Sequence, residues 1–147
     1  HQPLALGRME ILRDGTDGAV LAYGHMVQTA LEAAALLDKR GVHIEVVNAR
    51  FCKPLDEQGV LALCDRHDRV VTLEDHARIG GFGSTVLECL SSHSSAHGPV
   101  RAQVQVIGVC DEILEHMSRN QVLEHCGLTA AHVAERFLAE KQVPQVR

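Results

Sequence analysis

Ala19-Val20-Leu21-Ala22-Tyr23, then Val27, Ala30, Leu31, Ala34 and Leu37, then Gly41, then Ile44-Glu45-Val46-Val47: this stretch decides the fold. The first run is continuously apolar, the mark of a strand covered on both faces, and the last reads as a second buried strand. The residues between recur at helical spacing, and Gly41 is placed to end that helix. A strand, a helix and a second buried strand in this order predict a parallel β-α-β unit.

The same alternation continues outward. Upstream, Gly7 to Leu12 reads as a short strand and Arg13-Asp14-Gly15-Thr16-Asp17-Gly18 as turn chemistry, so the first two strands are expected to form a hairpin. Downstream, Asp56 can cap a helix carrying Val60, Leu61 and Cys64 inward. Arg69 to Glu74 is a third buried strand, and Gly80-Gly81-Phe82-Gly83 opens a helix with Val86, Leu87 and Leu90 on one side. Ser91 to Pro99 reads as an exposed loop rich in Ser, His and Gly, and Val104 to Ile107 as the last strand. Ser118 with Gln121 has capping-box spacing, Gly127 closes that short helix, and a terminal helix from Thr129 carries Val133, Phe137 and Leu138. The fold class is α/β, a single three-layer αβα domain over residues 1–147. Right-handed crossovers place the strand-to-helix loops along one sheet edge, where partners and ligands of such sheets approach.

Composition narrows the function classes. A net charge of −5 with interspersed signs offers no basic patch, and three Phe, one Tyr and no Trp offer no stacking platform for nucleic acid. No stretch nears the roughly 20 apolar residues that span a bilayer. Cysteines at 52, 64, 89, 110 and 126 form no CxxC pair and are odd in number, which predicts free thiols and a cytoplasmic setting. The start at His1-Gln2-Pro3, without methionine, suggests a fragment of a longer polypeptide.

Four segments in order then carry a resemblance. Arg50-Phe51-Cys52-Lys53-Pro54-Leu55-Asp56 resembles the Arg-Phe-x-Lys-Pro-Leu-Asp run of the deoxyxylulose-phosphate synthases, members of the transketolase-like thiamine-diphosphate enzymes. Thr72-Leu73-Glu74-Asp75-His76 with Gly80-Gly81-Phe82-Gly83-Ser84 is similar to their Thr-Val-Glu-Glu-Asn and Gly-Gly-x-Gly-Ser. Ile107-Gly108-Val109-Cys110-Asp111 and Glu115-His116-Met117-Ser118-Arg119 resemble their Gly-Leu-Pro-Asp and Glu-His-Gly-Ser-Arg. Departures fall at Asp75, His76, Cys110 and Met117. The likeness runs from about residue 7 to 138 and is to the C-terminal domain of those enzymes.

The resemblance implies a five-stranded sheet in the order 1-3-2-4-5 with an antiparallel first strand. It also implies a scaffold domain that is inactive alone, within a homodimeric enzyme. That enzyme joins pyruvate to glyceraldehyde 3-phosphate with release of carbon dioxide, using thiamine diphosphate and Mg2+ held by the preceding domains. Alternatives are the equivalent domain of a transketolase or of a 2-oxo-acid dehydrogenase β-subunit, or a stand-alone module binding a small ligand.

The residues themselves yield candidates for a domain interface: Gly24, His25, Arg50, Glu74, Asp75, His76, Gly80, Gly81 and His116. No catalytic, cofactor-binding or metal-binding residue is assigned. Asp17-Gly18 with Asn48 only echoes a magnesium segment, because Thr16 replaces its first glycine. Gly80 to Gly83 could offer N–H groups to an anion, but close strand–helix packing is the preferred reading. His93 and His97 have i,i+4 spacing, yet their Ser-rich, Gly-Pro-flanked setting argues for solvated loop residues. His25, His76 and His116 fall after strands and could titrate near neutral pH, with local backbone capping as the simpler role.

Overall fold

A computed structural model describes residues 3–139. Five strands form one sheet: β1 (Glu10–Arg13), β2 (Ala19–Ala22), β3 (Glu45–Asn48), β4 (Arg69–Ala77) and β5 (Gln103–Val109). Helices α1 (Met26–Asp38), α2 (Glu57–Arg66), α3 (Phe82–His97), α4 (Arg119–His125) and α5 (Ala130–Ala139) complete the order. The sheet order is β1-β3-β2-β4-β5, as the resemblance implies. β2 lies parallel to β3 and to β4, and β4 lies parallel to β5. β1 alone is antiparallel, with Glu10 opposite Asn48.

Period-two alternation in the buried strands divides the core into two layers. Val20, Ala22, Val46, Val71 and Leu73 pack under α1 and α5 with Ala30, Ala34, Leu37, Val133 and Phe137. Ala19, Leu21, Val47 and Val70 face the other way, onto Val60, Leu63, Phe82, Val86 and Leu90 of α2 and α3. Each fully buried Leu or Phe contributes about 1.5–3 kcal/mol.

Helix ends follow their chemistry. Asp56 caps α2 by accepting from the Gly59 N–H at 3.0 Å. Ser118 and Gln121 form the expected capping box on α4. Gly41, with φ 72°, follows α1 in the left-handed conformation that glycine adopts without strain.

Three expectations are corrected. β1 and β2 form no hairpin. The turn between them instead docks on the segment before β3, where the Thr16 and Asp17 N–H groups donate to the His43 carbonyl at 2.8 and 2.9 Å. The Asp17 carboxylate accepts from the His43 N–H at 2.7 Å. That contact carries the chain past β3, leaving β2 central, where its four residues are buried.

Residues 91–97 are not a loop, because α3 continues to His97 and ends at Gly98, φ 99°, before Pro99. Serine is only a modestly poor helix former, and the Ser95 hydroxyl donates back to the Ser91 carbonyl at 2.9 Å. His93 and His97 thus do form a helical pair, ring centroids 4.7 Å apart. Among the described residues no further donor joins them in a three-ligand group.

Nor are all five cysteines free: Cys110 and Cys126 are bonded as a disulfide, leaving Cys52, Cys64 and Cys89 as thiols. The end of β5 lies beside the C-terminus of α4, and the two Cα atoms are 5.4 Å apart, within disulfide range. No helix among the described residues is long and apolar enough to cross a membrane.

Candidate functional site

The parallel strands deliver four loops to one edge of the sheet: 23–25, 49–56, 78–81 and 110–118. The centre of this edge is built on Glu74, which has no exposed surface. Its carboxylate accepts from the N–H groups of Phe82 at 2.6 Å and Gly83 at 2.7 Å, the first N–H groups of α3. Gly81, at the N-cap position, has no side chain to do this. Glu74 supplies the missing cap from the neighbouring strand, and its charge complements the positive end of the helix dipole.

Glu74, one of the interface candidates, is thus buried and bonded within the domain. It also occupies the N–H groups that an external anion would need, in keeping with the packing reading of Gly80 to Gly83. The packing is tight: a Cβ on Gly83 would come within 2.6 Å of the Thr72 hydroxyl oxygen.

Asp75 points the other way, as alternation along a strand requires. It pairs with Arg119 at 2.7 Å, joining the end of β4 to the first turn of α4. Gly24, φ 63°, lies beside it, its Cβ position 4.0 Å from the Asp75 carboxylate. Tyr23 stacks on Phe82 with centroids 5.2 Å apart, which fixes the loop after β2 against the start of α3. Arg50 stands away from this group, its guanidinium 2.5 Å from Glu10 on β1. It holds φ 57°, an uncommon conformation for a residue other than glycine.

His25, His76 and His116 are exposed along the edge. His25 occupies the N-cap position of α1 without a capping bond from its side chain, so the capping role does not hold there. Gly80, φ 75°, donates its N–H to the Ser84 hydroxyl at 2.9 Å. Sequence reasoning missed three features of the edge. Arg119 was present only as the last residue of a motif. Ile79 and Ile113, 64% and 100% exposed, extend apolar side chains from the loops after β4 and β5.

Two concavities carry histidine in their lining. One, of about 660 Å³, is lined by Asp14, Glu45, Arg66 and His67. Burial alone would raise the Glu45 pKa, but Arg66 and His67, at 2.7 and 2.5 Å, together hold it below the usual range. The other, of about 460 Å³, runs between α2 and α3 past Cys89, His93 and His97. Cys110, Glu112 and His125 bring three potential metal-ligating atoms within 4.8 Å of one another at the end of β5.

Against known proteins, a family model described as transketolase, C-terminal domain, matches residues 7–133. The 1-deoxy-D-xylulose-5-phosphate synthase of Cyanothece sp. is 45% identical over 143 residues, 97% of this chain and 22% of that protein. The corresponding synthase of Geobacillus thermodenitrificans is 42% identical over 134 residues, 91% of this chain and 21% of that protein. A solved split-gene transketolase, described as an inactive β4 tetramer, superposes with TM-score 0.81 at 33% identity, covering 92% of this chain and 43% of that one. A transketolase from Campylobacter jejuni shares the fold, with TM-score 0.61 at 20% identity over 90% of this chain and 18% of that one. The chain spans about a fifth of the length of the synthases it matches.

Proposed function

Because the chain belongs to the transketolase C-terminal domain family, we propose that it is the C-terminal scaffold of a 1-deoxy-D-xylulose-5-phosphate synthase. In this reading the edge bearing Gly24, His25, Asp75, His76, Gly80, Gly81 and His116 docks on preceding domains of the same polypeptide. Those domains hold thiamine diphosphate and Mg2+ and condense pyruvate with glyceraldehyde 3-phosphate. The parent is a cytoplasmic homodimer, and this domain contributes no catalytic group. Identity above 40% to such synthases over more than nine-tenths of the chain is the observation that carries the proposal. The split-gene transketolase supports it too, since a related chain in that protein is described as inactive.

The residues present do not fit the cofactor. The N–H groups best placed for a diphosphate, on Phe82 and Gly83, are bonded to Glu74. The echo of a magnesium segment is divided between opposite sheet edges. Asp17 precedes β2 and accepts from the His43 N–H, while Asn48 ends β3 and accepts from the Arg50 N–H at 3.0 Å. Docking is the better use of this edge. Ile79 and Ile113 supply apolar surface there, and Asp75 with Arg119 supplies a fixed polar pair.

The test is Ile113→Glu in the full-length protein. Ile113 is fully exposed, so the substitution is expected to leave the unfolding of the domain unchanged. Synthase activity and homodimer assembly are expected to fall together. Wild-type assembly and turnover in this variant would remove Ile113 from the docking face. Thiamine diphosphate binding by the 147-residue chain alone would overturn the scaffold reading.

A further inference from the structure

Cys110 and Glu112 follow β5, whereas His125 ends α4 and Cys126 is its C-cap. The chain thus brings two sulfur atoms, an imidazole and a carboxylate together from two separate stretches. Among the described residues, Cys110, Glu112 and His125 are the ones whose ligand atoms gather this closely, within 4.8 Å. The Cys126 sulfur lies outside that group of three but is bonded to the Cys110 sulfur, and reduction of the bond would free it as a fourth donor. Glu112 and His125 already meet at 3.1 Å.

We propose that the reduced Cys110–Cys126 pair, with His125 and Glu112, is a tetrahedral site for one zinc-class divalent cation, and that the disulfide closes it. Tetrahedral zinc with sulfur at about 2.3 Å and nitrogen at about 2.0–2.1 Å sets its ligand atoms roughly 3.3–3.8 Å apart. Closing the cluster to that spacing requires the exposed side chains of Glu112 and His125 to turn inward. Two thiolates and an imidazole select a borderline-soft ion over magnesium or calcium.

The redox step balances through a dithiol reductant. The dithiol gives two electrons and two protons to the Cys110–Cys126 bond and becomes a disulfide itself. Metal binding then releases two protons as both thiols become thiolates. In either state the 110–118 loop is tied to the end of α4: by the sulfur–sulfur bond when oxidised, by the metal when reduced.

The experiment is titration of the metal-free, phosphine-reduced full-length protein with Co2+, followed by displacement with Zn2+. One equivalent is expected to produce a thiolate-to-cobalt charge-transfer band that Zn2+ removes. The band is expected to be missing after oxidation of the pair and after joint Cys110→Ser and Cys126→Ser substitution. His125→Ala and Glu112→Ala are exposed changes that leave the fold intact by circular dichroism. Each is expected to weaken the metal by at least the roughly 10–100-fold that a lost supporting contact costs. Absence of the band in the reduced protein overturns the proposal. So does a band that survives that double substitution, or one of equal strength in the oxidised protein.

Discussion

Replacing Glu74 by glutamine keeps the length and shape of the side chain and removes one of two acceptor oxygens. The native carboxylate receives the Phe82 N–H at 2.6 Å and the Gly83 N–H at 2.7 Å, with no exposed surface. In the variant the amide oxygen retains one of these, while the amide NH2 faces the other as donor against donor. A hydrogen bond to a charged group contributes about 1.5–3 kcal/mol, and a buried N–H left unpaired costs about 1–3 kcal/mol. These two descriptions overlap, and removing the charge also relieves its desolvation. The net expectation for Glu74→Gln is therefore a loss of about 2–3 kcal/mol. For a domain of this size that lowers Tm by roughly 6–10 °C.

Denaturant unfolding of the 147-residue chain measures it, with an unchanged m-value as the sign that only stability moved. Hydrogen exchange assigns it, because the Phe82 and Gly83 amides are expected to exchange much faster than those in the middle of α3. Glu88→Gln, an exposed change on the same helix, is the control and is expected to stay within about 0.5 kcal/mol of the parent. A Glu74→Gln chain as stable as that control, with both amides still protected, would falsify the capping argument.

Gly83→Ala places a methyl 2.6 Å from the Thr72 hydroxyl oxygen and 2.9 Å from a Val106 methyl, and calorimetry is expected to show a loss of about 1–3 kcal/mol. Arg13 and then His43 hold the Asp38 carboxyl at about 2, below its ordinary 3.8. The stability this adds is complete above about pH 4 and disappears as pH falls through about 2. The difference in unfolding midpoint between wild type and Asp38→Asn should therefore shrink over that window, and a constant gap would refute the linkage. Burial pushes the Cys64 thiol up to about 11, so at mildly alkaline pH an alkylating reagent should reach it only as the chain unfolds. Mass spectrometry of the labelled peptide checks this, and labelling at the rate of the denatured chain would contradict it.

The strands and helices were legible where one local rule dominated. β2 is an apolar run, α1 repeats at helical spacing, and Asp56 and Ser118 occupy the caps their chemistry favours. Strand order was not in the local pattern and came only with the resemblance. The β1–β2 turn contains hairpin residues, but its N–H groups go to His43, which lies 26 residues beyond Asp17. The end of α3 was misread because Ser, His and Gly imply a loop by composition, while helix continuation depends on each serine's local bonds. The burial of Glu74 was not legible for a related reason, because it depends on N–H groups eight and nine residues later. The Cys110–Cys126 contact joins two segments that only the folded β5–α4 connection brings together.

The reversal of β1 decides where the polypeptide arrives. Glu10 lies opposite Asn48, the last residue of β3, so the chain comes in at the edge where the parallel strands finish. Residues 7–9 run beside Pro54 and Asp56, and the Met9 N–H donates to the Asp56 carboxylate at 3.1 Å. A parallel first strand would have brought the chain in at the far rim instead, displaced by the strand's own length of roughly 13 Å at about 3.3 Å per residue. As built, the entering chain and the loops proposed to dock share one side of the sheet. In that proposed arrangement an upstream domain would be held close to those loops, which raises its effective concentration there without any added contact.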